Sequence, residues 1–287
     1  MSEPDKTNPA AEGNVERPIG VFDSGVGGLT VLSALRQRLP SEDLVYLGDT
    51  ARVPYGTRSP ETVLNYSLRV ASRLVREDIK ALVIACNTAT AHALEALQEA
   101  GARIGLPVIG VIEPGVQAAL AASRGGTIAV LGTEGTIRAG RYQQALTRAG
   151  SASIGQACSL LVPLAEEGWT TGEVAEAVAD RYLAPLQGQV DTAILGCTHF
   201  PLLRDVIQAA LPGVVLVDSA ETTAEAVAEI LAKQGLLQAP RAPAPTRFLV
   251  TDNLERFVTV GHRFLGHAPD PVTLVDLPDP EGAFAAP

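Results

Sequence analysis

Two of the three cysteines occupy positions where a thiol could take part in chemistry. Cys86 and Cys197 each follow an apolar run and precede polar residues at a predicted helix start, whereas Cys158 lies in a mixed segment and is predicted to be structural. A helix start carries partial positive charge and free N–H groups, which favour the thiolate form of a nearby cysteine. A single buried cysteine is usually core filler, but two at matching strand ends favour a chemical role. The polar residues that follow them are Asn87, Thr88, Thr198 and His199.

Two opposed thiols suit proton transfer at a carbon atom. A thiolate on one face takes a proton from a carbon acid while a thiol on the other face delivers one, which is racemisation or epimerisation by a two-base route. Asp23 ends the first predicted strand and His199 follows Cys197 by two residues, so either could hold or relay a proton for its thiol. The alternatives are a turn or helix-capping role for Asp23 and a surface position for His199.

Other uses of these residues fit less well. The run Gly25–Gly28 follows a predicted strand but departs from the G-x-G-x-x-G pattern of dinucleotide-binding loops. A zinc site built from Cys86, Cys197 and His199 would lack the close C-x-x-C spacing of structural sites and a fourth ligand. Pyridoxal phosphate needs a lysine for its Schiff base. None of the three lysines follows a predicted strand, so we expect neither a cofactor nor a metal; they are Lys6, Lys80 and Lys233.

The elements that must position these residues are short apolar runs separated by longer stretches with helical spacing. The runs are apolar throughout rather than alternating, as strands buried on both faces are. This pattern predicts an α/β fold with open parallel sheets, in which ligands bind beyond the carboxyl ends of the strands. The predicted strands are 19–22, 44–47, 81–85, 108–111, 127–131, 192–195 and 214–217, with one late strand within 247–252.

The sequence also repeats. DIKALVIACNTAT aligns with QVDTAILGCTHFP by placing Cys86 on Cys197, and IGVFDSGVGGLT aligns with IAVLGTEGTIRAG by placing Asp23 on Gly132. The separations agree, at 63 residues from 23 to 86 and 65 from 132 to 197. Convergent α/β patterning is the alternative, but we favour two similar lobes related by pseudo-twofold symmetry, with the active site in the cleft. The predicted division is a first lobe of 17–107 plus 218–267, a second lobe of 108–217, and tails at 1–16 and 268–287.

Composition excludes several classes of protein. The chain of 287 residues is 46% hydrophobic, which excludes disorder over its whole length. Its formal charge of −10 disfavours a nucleic-acid partner. The beginning lacks the apolar run of a secretory signal, and no stretch is long enough to span a membrane. Three scattered cysteines do not make a disulfide framework, so we expect a cytoplasmic location with reduced thiols.

Four motifs in order, VFDSGVGGLTV, YLGDTARVPYG, VIACNTATA and GCTHFPLL, resemble those of the bacterial glutamate racemases of the aspartate/glutamate racemase superfamily. The resemblance runs from about Ile19 to Asn253. It implies a cofactor-independent interconversion of L- and D-glutamate that supplies D-glutamate for peptidoglycan. It also implies a homodimer, and it admits an interaction with DNA gyrase, which some members of the family inhibit.

By this resemblance Cys86 and Cys197 are the acid/base thiols, assisted by Asp23, His199 and Glu166. Departures are small, with Phe200 where the family often has tyrosine and Val53 where it often has cysteine. The resemblance leaves open a racemase for aspartate or another small amino acid, and a two-lobed protein that binds an amino acid without catalysis is the alternative outside enzymes. The implied substrate contacts are Asp23, Ser24, Pro54, Tyr55, Gly56, Asn87, Thr88, Thr133, Thr136, Thr198 and His199.

One difficulty concerns charge. Glutamate carries two carboxylates, yet the only arginine among the motif residues is Arg52. We therefore predict that backbone N–H groups, side-chain hydroxyls and amides, and helix N-termini hold the anions.

Overall fold

The computed structural model describes residues 14–285, which form two parallel sheets with helices packed around them. The six-stranded sheet has the order β10-β9-β2-β1-β3-β4, and the four-stranded sheet has the order β6-β5-β7-β8. The predicted α/β class with open parallel sheets is confirmed. The strands are β1 Ile19–Asp23, β2 Leu44–Gly48, β3 Ala81–Ile84, β4 Val108–Gly110, β5 Thr127–Gly132, β6 Ser153–Ala157, β7 Val190–Gly196, β8 Val215–Asp218, β9 Arg247–Val250 and β10 Val272–Leu274.

The connections between strands are mostly α-helices. The second of them begins at Pro60 with Ser59 as its N-cap, whose hydroxyl accepts a hydrogen bond from the Thr62 amide at 3.2 Å. Short 3₁₀ turns cover 55–57, 184–186, 200–203 and 282–284. The helices are α1 Leu29–Arg38, α2 Pro60–Val75, α3 Asn87–Ala102, α4 Ile112–Ala122, α5 Glu134–Ala139, α6 Arg141–Arg148, α7 Leu161–Glu167, α8 Glu173–Leu183, α9 Arg204–Ala210, α10 Ser219–Lys233 and α11 Leu254–Leu265.

The two sheets share one strand order. The stretch β2-β1-β3-β4 in the larger sheet corresponds position by position to β6-β5-β7-β8 in the smaller one. Asp23 ends β1 as Gly132 ends β5, and Cys86 and Cys197 both lie just beyond the corresponding strands β3 and β7. The shared order supports the predicted duplication, while the pseudo-twofold relation between the lobes stays a prediction.

Two of the expected boundaries differ from the sheet membership. Residues 108–110 were expected in the second lobe, but β4 pairs with β3 in the six-stranded sheet because α3 returns the chain to that sheet. The expected tail 268–287 contributes β10, which pairs with β9 as an edge strand. The few apolar residues of β10 lie among prolines, so the sequence pattern did not predict a strand there. The expected tail 1–16 lies outside the described residues except for 14–16. We propose that the lobes divide according to sheet membership.

Apart from the edge strands β6 and β10, the strands are largely buried on both faces, as their continuous apolar character predicts. Val21 and Val83 pack on one face of the six-stranded sheet, and Phe22 and Ile84 pack on the other. The smaller sheet has the same arrangement, since alternate residues of β5 enter two separate clusters. The core therefore holds the strands rigidly. This packing also fixes the positions of the residues that directly follow the carboxyl ends of the strands.

A buried ion pair joins the beginning of β3 to distant parts of the chain. The Lys80 ammonium lies 2.5 Å from the Glu42 carboxylate, and both side chains are almost fully buried. Lys80 also donates to the carbonyl oxygens of Val15 and Leu236, at 2.7 and 2.8 Å.

Among the described helices, none is long and apolar enough to cross a membrane.

Candidate active site

A cavity of about 370 Å³ lies beyond the carboxyl ends of strands from both sheets. This is where parallel sheets are expected to bind ligands, and the volume falls within the roughly 300–1,000 Å³ usual for small-molecule sites. The lining residues follow β1, β2 and β3 in the first sheet and β5, β6 and β7 in the second. They are Ser24, Gly25, Val26, Val53, Pro54, Tyr55, Gly56, Thr57, Cys86, Asn87, Thr88, Thr133, Ser159, Val162, Pro163, Glu166, Cys197, Thr198 and His199.

Cys86 takes its position from the junction between β3 and α3. It is the N-cap of α3, and its sulfur accepts a hydrogen bond from the Ala89 amide at 3.4 Å. The thiol lies 3.6 Å from the Ser24 hydroxyl. Burial, reinforced by the nearby Asp23 carboxyl, raises the pKa of Cys86 to about 12. Cys86 is therefore a thiol at neutral pH, able to deliver a proton.

Asp23 lies behind the cavity rather than in its wall. One carboxylate oxygen accepts a hydrogen bond from the Gly25 amide at 2.8 Å, and the other has no partner among the described residues. Burial raises the pKa of Asp23, although the Gly25 N–H and the charge of His199 act in the opposite direction. Asp23 is not among the residues that line the cavity. Its predicted direct contact with substrate stays a prediction.

Cys197 lies in a different electrostatic environment. Its sulfur is 3.8 Å from Nδ1 of His199, and Nε2 of that ring is 3.1 Å from the Glu166 carboxylate. Burial alone would lower the pKa of His199, but the contacts with Cys197 and Glu166 outweigh it and raise that pKa to about 10. At neutral pH the ring is an imidazolium, whose positive charge stabilises negative charge on the adjacent sulfur.

Glu166 completes this group. Burial favours its neutral form, but the hydrogen bond with His199 and the contact with Arg256 prevail, so the pKa of Glu166 is lowered. The resulting carboxylate orients the imidazolium. The two thiols thus have unlike partners, a carboxyl group behind Cys86 and an imidazolium beside Cys197. This difference suits one to act as acid while the other acts as base.

Hydroxyl groups from both lobes meet at one side of the cavity. The Thr88 hydroxyl lies 2.9 Å from that of Thr133 and 3.1 Å from that of Thr136, which are themselves 3.0 Å apart. Thr88 and Thr133 line the cavity, whereas Thr136 is buried behind them and orients them.

Asn87 offers an amide donor. Its side-chain oxygen accepts a hydrogen bond from the Tyr142 hydroxyl at 2.6 Å. Its amide nitrogen has no partner among the described residues. A buried donor of this kind is costly to leave unpaired, so it suits an anionic ligand.

The loop after β2 is fixed by a buried carboxylate. Asp49 accepts hydrogen bonds from the Tyr55 hydroxyl and Arg52, both at 2.7 Å, and from the Thr251 hydroxyl at 2.8 Å. Tyr55 therefore presents its ring and backbone to the cavity rather than its hydroxyl, and the Arg52 guanidinium is occupied elsewhere. No lysine or arginine is among the cavity-lining residues in the described part of the chain. This agrees with anion binding by neutral donors.

The structure brings together most of the predicted site residues, and it adds several that sequence reasoning missed. Asp49 and Tyr142 fix the predicted contacts Tyr55 and Asn87 from behind, and Arg256 holds Glu166. Asp49 stands at a strand end within the YLGDTARVPYG motif, which was a usable signal. Tyr142 and Arg256 lie within helices, and the sequence around them does not indicate a role at the site. The described residues contain no group of three or more His, Cys, Asp or Glu placed to hold a metal ion.

Comparison with known proteins agrees with this geometry. The family model described as Asp/Glu/Hydantoin racemase matches residues 28–227. The chain is 54% identical to a glutamate racemase from Geobacter metallireducens over 254 residues, which cover 87% of this chain and 93% of the relative. The chain belongs to the Asp/Glu/hydantoin racemase family, and it is an amino-acid racemase.

Solved structures show which members of the family this chain resembles in fold. A glutamate racemase isoform from Bacillus anthracis matches with a TM-score of 0.87 at 41% identity, covering 91% of this chain and 98% of its own. The Francisella tularensis glutamate racemase, solved in complex with D-glutamate, matches with a TM-score of 0.85 at 35% identity, covering 92% and 98%. Within the family, the similarity is therefore to glutamate racemases.

Proposed function

We propose that this racemase interconverts L- and D-glutamate by proton transfer between Cα and the two thiols of Cys86 and Cys197. The observation that carries the proposal is that both sulfurs line one cavity although they follow strands of different sheets. Two bases on opposite sides of one small molecule are what inversion at a carbon requires. A protein that only binds an amino acid needs neither thiol.

The proton sequence follows from the partners of each sulfur. In one direction the Cys197 thiolate, stabilised by the His199 imidazolium, takes the α-proton. The electron pair left on Cα then takes the proton of the Cys86 thiol at the opposite face. In the other direction the roles reverse: Cys86, as the thiolate, takes the α-proton and the Cys197 thiol delivers one to the opposite face. The Asp23 carboxyl, whose pKa is raised by burial, is placed to relay a proton for Cys86. Glu166 keeps His199 charged and oriented in both directions.

Neutral donors bind the two carboxylates of the substrate. Ser24, Asn87, Thr88, Thr133 and Thr198 supply hydroxyl and amide groups on the cavity wall. In the loop after β2, Pro54 supplies shape, and Tyr55 and Gly56 supply backbone N–H donors. Thr136 and Asp23 act from behind the wall. Preorganised donors at the carboxylate that adjoins Cα can also stabilise the negative charge that develops there when the α-proton leaves.

We propose glutamate rather than aspartate as the substrate, and the support is that the relatives matched at high coverage are named glutamate racemases. The product D-glutamate would serve peptidoglycan synthesis. We place the reaction in the cytoplasm, where thiols stay reduced. We also propose a homodimer, which sedimentation of the full chain tests.

The test follows deuterium from solvent into glutamate. L-glutamate is incubated in deuterated water without added cofactor, and we expect D-glutamate carrying deuterium at Cα. Early in the reaction the remaining L-glutamate stays unlabelled, because a different thiol serves each enantiomer. Cys86→Ser and Cys197→Ser should each lower kcat by about 10²- to 10⁴-fold, the usual contribution of a general acid or base.

The control is Cys158→Ser, because Cys158 is fully buried in the core of the second lobe and does not line the cavity. This variant should keep its turnover. Full activity in either of the other two variants would remove the two-base assignment, and so would a requirement for added pyridoxal phosphate.

A further inference from the structure

We propose that helix α11 of the first lobe, through Arg256, is the positioning element that holds Glu166 against His199 in the second lobe. The inference rests on the proposed function and adds to it residues that act on the proton-transferring groups without touching the substrate. None of the α11 residues involved lines the cavity.

The contacts of Glu166 carry the proposal. One carboxylate oxygen lies 3.1 Å from Nε2 of His199, and the other lies 3.2 Å from the Arg256 guanidinium. The Glu166 carbonyl oxygen accepts a hydrogen bond from Arg263, which lies about two helical turns beyond Arg256 in α11. All three oxygens of Glu166 are therefore engaged, and two of their partners belong to α11.

The same helix also supports His199. The Phe264 ring packs edge-on against the imidazole, with 5.3 Å between ring centroids and an angle of 86° between planes. Arg256, Arg263 and Phe264 lie on one face of α11, because residues seven or eight apart in a helix share a face. Gly168, which ends α7, lies so close that a Cβ there would be 3.2 Å from Nε of Arg263.

The arrangement divides one function between two lobes. Glu166 and His199 follow β6 and β7 of the four-stranded sheet, whereas α11 follows β9 of the six-stranded sheet. A carboxylate held at both oxygens cannot rotate toward solvent, although Glu166 is 26% exposed. The contact between Glu166 and His199 lies within the second lobe, whereas the contacts that fix Glu166 from the other side come from the first lobe.

The competing interpretation is an ordinary surface ion pair. Arg256 is 54% exposed and also lies 3.7 Å from Glu167, and exposed pairs of this kind contribute little to stability. The two interpretations differ in what they predict for catalysis. A surface pair changes neither the rate nor its pH dependence, whereas a positioning residue changes both.

The experiment compares Arg256→Gln and Arg256→Lys with the parent, using the full chain. We expect Arg256→Gln to lower kcat/KM by up to about fivefold, the scale of an exposed ion pair. The acid limb of its pH profile should move to higher pH, because Glu166 loses the positive charge that favours its ionised form. Arg256→Lys should restore part of the rate. Thermal unfolding should change little in both variants.

The matched control is Arg38→Gln. Arg38 is about as exposed as Arg256 and forms an ion pair at 2.8 Å with Glu225, which, unlike Glu166, does not line the cavity. It should leave rate and pH profile unchanged. In the double variant Arg256→Gln/Glu166→Gln, the loss should not exceed that of Glu166→Gln alone, since both changes act through one contact. An Arg256→Gln profile that superimposes on the parental one would overturn the proposal, and so would losses that multiply.

Nuclear magnetic resonance separates this inference from the proposed function. The His199 ring resonances should show an inflection in acid that reports protonation of Glu166, and Arg256→Gln should move it to higher pH whether or not glutamate is the substrate. An unmoved inflection would refute the positioning role. Active Cys86→Ser or Cys197→Ser variants would instead refute the two-base function.

Discussion

A single methyl group at Gly27 should disable the site without disturbing the fold. Gly27 lies in the turn between β1 and α1, facing residues of the second lobe. A Cβ there would lie 2.5 Å from both Nδ1 and Cε1 of His199, and closer still to Oγ1 of Thr198. The φ angle of Gly27 is not positive, so the local backbone accepts alanine. The three atoms nearest to the added Cβ all belong to the second lobe, so the conflict arises across the cleft.

The size of the expected loss in rate follows from the distances between the added Cβ and its neighbours. Ordinary contacts of a Cβ begin at 3.4 Å, so the imidazole must withdraw by roughly the difference from 2.5 Å, or the lobes must separate by as much. A displacement of about 1 Å in a catalytic group can cost on the order of 100-fold in rate. We expect Gly27→Ala to lower kcat/KM by that order, because His199 loses its position between Cys197 and Glu166.

The assay is racemisation followed from each enantiomer, with thermal unfolding measured in parallel. The two kcat/KM values must fall equally, because enantiomers have equal free energy and the equilibrium constant is fixed. Gly115→Ala is the matched control, since a Cβ in that helical position meets nothing closer than 3.5 Å. It should retain activity and gain about 0.5–1 kcal/mol of stability. A Gly27→Ala variant with parental kcat/KM would refute the placement of His199.

Two further predictions concern pH and the buried ion pair. Activity should decline as the pH rises through about 10, because the pKa of His199 is raised to that value and its positive charge is present only below it. A kcat/KM profile measures this, and an alkaline limb near the ordinary histidine pKa would contradict it. Lys80→Met should lower the free energy of unfolding by about 3–5 kcal/mol, because it leaves the Glu42 carboxylate buried without its counter-charge. Urea unfolding measures the loss, which adding Glu42→Gln should reduce; an unchanged midpoint would contradict the assignment.

Most of the fold could be predicted because most of its strands are buried on both faces. Such strands leave continuous apolar runs, and seven of them, with the late strand β9, were identified from sequence. The edge strand β6, with the sequence SIGQA, was missed because all five of its residues are only half-buried. The edge strand β10 was missed because it lies in a proline-rich stretch and its residues are mostly exposed.

Some residues of the candidate site could likewise be predicted from the sequence, and others could not. Cys86 and Cys197 could be found because a strand end followed by polar residues is a local pattern, repeated once in the chain. Arg256 and Tyr142 could not be found, because each acts by reaching a residue far away in sequence. Glu166 was identified only from the family resemblance, since nothing in VPLAEEG indicates that its carboxylate meets an imidazole.

The unequal surroundings of the two thiols must be reconciled with a reaction whose substrates are mirror images. Duplication explains position, because equivalent strands β3 and β7 place Cys86 and Cys197 at equivalent points of the two lobes. Protonation is set by what is not duplicated, the buried Asp23 carboxyl on one side and the His199–Glu166 dyad on the other. Each turnover exchanges which thiol carries the proton. Two thiols without such partners would have no neighbouring group to stabilise either protonation state. The unlike partners bias the two sulfurs in opposite directions: burial and the Asp23 carboxyl keep Cys86 protonated, whereas the His199 imidazolium stabilises negative charge on Cys197. The Arg256 contact with Glu166 makes the second of these arrangements depend on both lobes.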